Sequence, residues 1–463
     1  MIRVPHEPGR PVAVLGLGKS GLVAARALAA SGAEVWAWDD DAAKRAEIAT
    51  TDLYTCDWSR PSALVLSPGI PHEFPKPHPV ALKAKAAHVP IIGEVELLFR
   101  AQPKATFIGI TGTNGKSTTT ALIGHILRRS GKRAEVGANL GTPAMALAPL
   151  DAGGIYVLEM SSYQLELVPT ARFDVAVLLN ITPDHLDRHG GMAGYVAAKR
   201  RIFDRQRPQD WAVIGIDDEY CRAIRDGLSS RHVVAIAIGR EAASAIPMGR
   251  EAVNAITVRD GILSDESGRA IMDLATAPTL PGPHNWQNAA AAFAVARALG
   301  ISSASIAAGI ETYPGLPHRQ ELIDTGAGVR FVNDSKATNA DATAKALACY
   351  EPIYWILGGR PKENGLEGLE SLYPRIARAY LIGEAAAAFG KTLDTYRVAT
   401  RQCGTLDRAV AAAAEDAARE KRPHAVVLLS PAAASFDQFA NFEERGNRFR
   451  QLVTGLTQKA GRA

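Results

Sequence analysis

Residues 109–118 read GITGTNGKST, following an apolar run and leading into ALIGHILRRSGK. In a strand–turn–helix setting, glycines at 109, 112 and 115 let backbone N–H groups curl around phosphates at a helix N-terminus. Lys116 then reaches the outer phosphates, and Ser117 offers a hydroxyl to Mg²⁺. The candidate set is Gly112, Thr113, Asn114, Gly115, Lys116, Ser117 and Thr118. The strict G-x-x-x-x-G-K-[ST] pattern requires glycine where this chain has Ile110. The competing reading is a glycine-rich turn with an exposed lysine.

A second glycine loop, GLGKSG (Gly16–Gly21), precedes an acidic triplet, Asp39–Asp41. Gly16 permits a tight turn, Gly18 admits a phosphate and Gly21 allows close helix packing. Alone, this motif says nucleotide or dinucleotide. EMSSYQLE (Glu159–Glu166) and NITPDHLDRHG (Asn180–Gly190) end two further apolar runs. Ligands of open α/β sheets lie beyond the carboxyl ends of strands, so Glu159 and His185 are expected to face the phosphates that Lys116 reaches. A carboxylate there suits Mg²⁺, a hard cation. His185 and His189 have the spacing of a zinc pair but lack the H-E-x-x-H glutamate and a nearby cysteine.

In YVAAKRRIF (Tyr195–Phe203), helical spacing puts Lys199 towards the apolar side and Arg200 and Arg201 away from it. A buried lysine loses proton affinity and becomes nucleophilic. A stem snorkelling over the core edge is the reading favoured by the residues alone. HNWQNAAAAFAVARALG (His284–Gly300) reads as a helix with Asn285 near its N-cap. Asn285 and Asn288 fit base recognition and simple capping equally well. Arg319, Asp334, Lys336, Thr338, Lys362 and Ser435 fall in loops after apparent strands, where chemistry concentrates.

The elements that must position these residues are short apolar runs at 11–17, 63–69, 105–111, 155–161, 174–182, 353–359 and 425–431, separated by Ala-rich stretches. Continuous apolar strands with intervening helices predict an α/β protein with mainly parallel sheets. Turn formers at 101–104 and 313–317 divide the chain into 1–101, 102–314 and 315–463, each long enough for its own core.

With 463 residues, 47% of them hydrophobic and 22% charged, disorder is excluded as the main theme. Four widely spaced cysteines support neither a disulfide framework nor a cysteine zinc site. No run reaches the length needed to span a bilayer, and the opening residues lack a signal-peptide core, so a cytoplasmic protein without membrane insertion is expected. A net charge of +4, spread along the chain, gives no nucleic-acid footprint.

Taken in order, GTNGKST, EMSSYQLE, NITPDHLDRHG, the Lys199 segment, HNWQNAAAA, PHRQE, NDSKATN, LGGRPKENG and SPAAASFDQFANFEERG make this chain resemble the Mur ligases along essentially its whole length. GLGKSG and SFDQFANFEERG point to their D-glutamate-adding branch. The resemblance implies a Rossmann-like UDP-substrate domain, a central P-loop ATPase and a C-terminal Rossmann-like domain for the amino acid. It implies ATP-driven amide formation in cytoplasmic peptidoglycan precursor synthesis by a monomer. Its small-molecule partners would be ATP, UDP-N-acetylmuramoyl-L-alanine and D-glutamate, with Mg²⁺ required.

Carried over, the resemblance assigns Gly18, Ser20, Asp39, Ser67, Gly69, Asn139 and His185 to the UDP substrate. Catalysis would fall to Lys116, Glu159, His185 and Lys199. Ser117 and Glu159 would lie near one Mg²⁺, and His185 and Lys199 (as a carbamate) would serve a second. Asn285, Asn288, Arg319, Asp334 and Lys336 would join the P-loop in binding ATP, and Thr338, Lys362, Ser435 and Phe442 would receive D-glutamate. Three departures stand out: Asp40-Asp41 replaces a Thr-Arg pair, Ala434 stands where cysteine is common, and Arg360-Pro361 precedes Lys362. Three other readings are a Mur ligase adding another amino acid, an NAD-binding oxidoreductase with an ATPase domain, and a non-catalytic nucleotide-binding regulator.

Overall fold

The computed structural model describes residues 2–228, 232–239, 254–323, 329–361 and 365–460. They form two compact units, one of residues 1–274 and 285–312, the other of 275–284 and 313–463. Among the described residues, no helix is long and apolar enough to cross a membrane.

The first unit contains two sheets. β1 (Val12–Leu15), β2 (Val35–Trp38), β3 (Ala63–Leu66) and β4 (Ile91–Ile92) form a parallel sheet in the order β2-β1-β3-β4. The second sheet runs from β5 (Thr106–Thr111) through β6 (Ala134–Ala138), β7 (Ile155–Glu159), β8 (Val175–Leu178), β9 (Trp211–Gly215), β10 (His232–Ile238), β11 (Asn254–Arg259) and β12 (Ile262–Ser264) to β13 (Ala270–Asp273). Its order is β13-β12-β11-β10-β9-β8-β5-β7-β6, parallel from β6 to β11 and antiparallel at β12 and β13. Strands β1, β3, β5, β7, β8 and β9 are almost wholly buried, as two-faced coverage by helices requires.

β5 lies between β8 and β7, so the 112–115 loop leaves the sheet beside the carboxyl ends of both neighbours. The helix that follows, Lys116–Arg129, buries Leu122, Ile123, Ile126 and Leu127 and ends in Arg128 and Arg129, which complement its dipole. Gly109 lies inside β5 and contributes space: a Cβ there would come within 2.5 Å of the Phe173 ring. It is a packing glycine, which corrects its expected place in the phosphate loop.

Pro283–Ala298 is helical, with proline in the first position and Ala289–Ala296 buried on every side. The helix therefore begins two residues before Asn285, which faces inward. Small side chains are what allow this helix to sit so deeply.

The second unit has one sheet, from β14 (Glu321–Ile323), β15 (Arg330–Asn333), β16 (Ile353–Gly358), β17 (Ile376–Ile382), β18 (Thr400–Gly404) and β19 (Val426–Leu429). The order is β14-β15-β19-β16-β17-β18, with only β14 antiparallel among the described strands. Its core is built on Trp355, Tyr354 and Tyr380, all fully buried.

Candidate active site

Gly115 caps the Lys116 helix in the left-handed region, at φ +85°, a conformation that costs glycine nothing. Asn180, at the end of β8, clamps the loop: its carbonyl accepts from Thr113 N and its side chain accepts from Asn114 N, both at 2.9 Å. The Asn180 amide also donates to Gln287 Oε1 at 2.8 Å. Thr119 donates to Asn288 Oδ1 at 3.1 Å, and Asn288 donates to Asn285 at 3.0 Å. Asn285 and Asn288 thus brace the first turns of the P-loop helix from behind. Ser117 and Thr118 lie buried in its first turn.

Two ammonium groups meet on one oxygen. Lys116 Nζ donates to Gly112 O at 2.9 Å, and Lys199 Nζ donates to the same carbonyl at 2.8 Å. Lys199 is 1% exposed, and its Nζ sits 4.6 Å from the centre of the Tyr195 ring. Burial, and then the neighbouring Lys116 charge, bring its proton affinity down to about 7. The snorkelling expected from sequence is overturned, because the charged end itself is inside. Tyr195 in turn shares a 3.1 Å hydrogen bond with Thr113 Oγ1.

Glu159 ends β7 with its side chain buried. Its Oε1 accepts from Asn139 Nδ2 at 2.6 Å, whereas Oε2 is buried without a hydrogen-bond partner. An orphaned carboxylate oxygen is costly unless something satisfies it. Together with the Ser117 hydroxyl it gives oxygen donors of the kind Mg²⁺ takes, alongside phosphate oxygens. Among the described residues, no group of three or more His, Cys, Asp or Glu is arranged to hold a metal alone. His185 is half exposed, at φ +51°, with Nε2 3.5 Å from Asp184 and its ring 5.2 Å from Tyr163. His189 is buried, with its ring nitrogens 2.9 Å from Glu166 and from Ser162, so the two histidines do not act as a pair.

At the first loop, a Cβ on Gly21 would run into the Gly16 carbonyl, so the expected close approach of helix and turn is present. Positions Gly18 and Gly69 face open space. Ser67 donates to Gly16 O at 2.9 Å. Both oxygens of Asp39 are engaged by backbone, accepting from Leu17 N at 2.6 Å and Asp41 N at 2.9 Å. Asp39 therefore holds the loop in shape. Asp40 is gripped by Tyr54 and lies 2.9 Å from His78 Nε2.

The second unit gathers another cluster. Asp334 is buried, its carboxyl pushed up to about 7 chiefly by that burial, and it accepts from Ser430 Oγ at 2.8 Å. Lys336 Nζ lies 5.4 Å from the centre of the Phe442 ring. Thr338 follows in the same turn, and Ser435 is buried. Arg319 Nε is buried without a partner. Arg445, fully buried, ties the two loops by donating to Ser335 O at 2.9 Å and Ala433 O at 3.2 Å. Lys362 lies outside the described residues.

Sequence reasoning missed Asn180 and Gln287 as braces of the loop, and saw Tyr195 only as an apolar helix position. A strand-end position beside the P-loop strand was the available signal for Asn180.

A strand–loop–helix phosphate site, a buried lysine and an orphaned carboxylate define a nucleotide-dependent transferase or ligase. Residues 110–296 match the Mur ligase middle domain. UDP-N-acetylmuramoylalanine–D-glutamate ligase of Paramagnetospirillum magneticum is 51% identical, covering 99% of each chain. The enzyme of that name from Rhodospirillum rubrum is 53% identical over 98% of this chain and 97% of its own. The solved UDP-N-acetylmuramate–alanine ligase of Thermotoga maritima shares the fold at TM-score 0.57 and 16% identity, covering 96% of this chain and 100% of that one. The chain belongs to the Mur ligase family: it is an ATP-dependent ligase that forms carbon–nitrogen bonds. The oxidoreductase reading falls with these relatives. It also needs Asp39 free for a ribose, and that carboxylate is taken.

Proposed function

We propose that this enzyme joins D-glutamate to UDP-N-acetylmuramoyl-L-alanine at the expense of ATP, in cytoplasmic peptidoglycan precursor synthesis. The observation that carries the reading is the pair of lysines on Gly112 O, together with a partnerless Glu159 oxygen at the end of the neighbouring strand, in a chain related end to end to D-glutamate ligases. The protein acts as a monomer, with functional segments 1–101, 102–314 and 315–463.

A carboxylate does not condense with an amine at neutral pH, because oxide is a poor leaving group. Transfer of the γ-phosphoryl group to the alanyl carboxylate gives an acyl phosphate, which the D-glutamate amine attacks. The tetrahedral species then collapses to amide and inorganic phosphate. With Asn180 holding the 113 and 114 N–H groups, Lys116 and the N–H groups of residues 115–117, at the start of its helix, stabilise the charge that builds on the phosphoryl oxygens. Asn285 and Asn288 fix the helix that aims them. Ser117 and Glu159 would hold one Mg²⁺, and His185 and a carbamate on Lys199 would hold a second; these ions would supply charge neutralisation at the phosphates. The neutral amine that Lys199 presents above pH 7 is the form able to add CO₂.

Gly18, Ser20, Ser67, Gly69 and Asn139 bind the UDP-sugar, and Asp39 supports them. Arg319, Asp334 and Lys336 serve ATP, while Thr338, Lys362, Ser435 and Phe442 serve D-glutamate. A phosphate-release assay with UDP-N-acetylmuramoyl-L-alanine, offering each amino acid in turn, tests the reading. Release is expected with D-glutamate alone, with ¹⁸O from the alanyl carboxylate recovered in phosphate. Release with another amino acid, or unlabelled phosphate, would overturn it.

A further inference from the structure

Glu94 and Glu96 are two buried carboxyl groups in the first turn of the Glu94–Ala101 helix, and they are treated differently. Glu96 is paired with Arg100 at 2.9 Å and accepts from the Thr170 backbone and hydroxyl. Glu94, 5% exposed, has no such cation among the described residues. Its Oε1 accepts from Met145 N at 2.7 Å, and the Ser20 hydroxyl hydrogen-bonds to the same carboxyl group. Ser20 lies in the first turn of Lys19–Ala30, the twelve-residue helix that follows the Gly16–Gly21 loop.

Among the described residues, the groups that meet Glu94 are uncharged. From Lys19–Ala30, Glu94 meets Ser20, while the Lys19 ammonium is directed to Gly141 O at 2.7 Å. From the short helix Ala144–Ala146 it meets a backbone N–H. On its own helix, Glu96 is neutralised by Arg100. Burial is the main influence, pushing the carboxyl up to about 7. The fold thus spends a hydroxyl and an amide on an acid with no counter-charge, beside the helix N-terminus where a diphosphate seats in this type of fold.

We infer that Glu94 couples proton uptake to binding of the nucleotide-sugar diphosphate: as the diphosphate seats at the glycine loop, the carboxylate takes a proton from solvent and the Ser20 hydroxyl hydrogen turns from Glu94 to a phosphate oxygen. The inference rests on the UDP-sugar reading of that loop. The chemistry follows from charge and hydrogen-bond direction. A diphosphate brings negative charge next to an ionised carboxylate in a poorly solvated place, which favours the acid form. The acid form donates to Ser20 Oγ, releasing the serine hydrogen for the ligand. Glu94 is a positioning residue, acting through Ser20 and never touching the reacting atoms.

The sign is fixed. Below pH 7 the proton is already present and binding is strongest. Above pH 7 binding must collect one, so affinity falls as pH rises. Neither the diphosphate nor the alanyl carboxylate of the substrate titrates between pH 6.5 and 8.5. The test is calorimetric titration of the full-length enzyme with UDP-N-acetylmuramoyl-L-alanine at pH 7.5 in two buffers of different ionisation enthalpy. Uptake of roughly 0.7 proton per site is expected, with affinity falling roughly tenfold or more between pH 6.5 and 8.5. In Glu94→Gln, uptake drops by that amount and affinity loses the corresponding fall across that range. Ser20→Ala binds more weakly yet still takes up the proton, since the charge repulsion remains. Binding without uptake in the wild type, or uptake undiminished in Glu94→Gln, would overturn the inference alone. The wild-type measurement decides even if a variant fails to fold. No binding in any buffer would overturn both the inference and the substrate reading beneath it.

Discussion

Two glycine loops in the first unit share a strand–turn–helix plan, yet they differ in what their charged neighbours are doing. At Gly16–Gly21 both oxygens of Asp39 are occupied by Leu17 and Asp41 backbone, and Ser67 is tied to Gly16. That loop is self-supported and offers open space at Gly18. At Gly112–Lys116, two ammonium groups crowd one carbonyl, and a buried Glu159 oxygen has no partner. Polar groups left in such a state are uncommon in folded proteins and concentrate where chemistry is done. One loop is complete in itself, and the other leaves polar groups for a ligand to satisfy.

The largest expected effect breaks the second loop alone. Lys116→Ala should cut ATP-dependent phosphate release by roughly 10²–10³-fold or more, while UDP-substrate affinity stays within about threefold. Turnover near wild type would erase the contrast between the loops. Next, Lys199→Arg keeps the charge but cannot form a carbamate, and activity should fall roughly 10²-fold. In the wild type, ¹³C NMR in ¹³C-bicarbonate should show a carbamate signal that strengthens from pH 6 to pH 8. The amine with proton affinity near 7 is protonated and unreactive at the lower pH. A signal absent at pH 8 in active enzyme would remove the carbamate.

A reciprocal pair of substitutions sharpens the division. Gly21→Ala drives a methyl into the Gly16 carbonyl and should raise the KM for the nucleotide-sugar about tenfold, at a stability cost of about 1–3 kcal/mol. Gly115→Ala meets Asn288 Oδ1 from a left-handed backbone and should instead lower kcat. Steady-state kinetics with each substrate varied separately distinguishes the two. The smallest effect belongs to Asp39→Asn, which keeps only one good acceptor for two backbone N–H groups. Thermal unfolding should show a loss of about 1–2 kcal/mol, with kcat unchanged and KM raised a few-fold. A collapse of kcat would make Asp39 a participant in the chemistry.

Legibility in the sequence followed burial. The runs around β1, β3, β5, β7, β8, β16 and β19 announced themselves because both faces are covered and nearly every residue is apolar. β18, TRQCG, did not, since an edge strand with exposed side chains carries no apolar signature. The antiparallel β12–β13 pair was hidden because both strands are short and partly exposed. At the site, motif residues were readable, but their surroundings were not. Lys199 looked like a snorkelling stem because helical spacing gives direction without depth. Gly109 looked like part of the phosphate loop because a glycine's lack of a side chain serves Phe173 as well as it would serve a phosphate. Asp39 carries the residue type of a ribose acceptor, and its use by the loop's own backbone emerges only in three dimensions.

The oxygen of Gly112 serves two cations that repel each other, and this arrangement has an electrical consequence. Should CO₂ turn the Lys199 amine into an anion, the pair around that oxygen would change from like to unlike charges without either side chain having to travel. The charge beside Lys116 would then switch sign, and Lys116 would be drawn towards its neighbour instead of pushed from it. A site carbamylated in this way would register the supply of a dissolved gas as a change in its own electrostatic field.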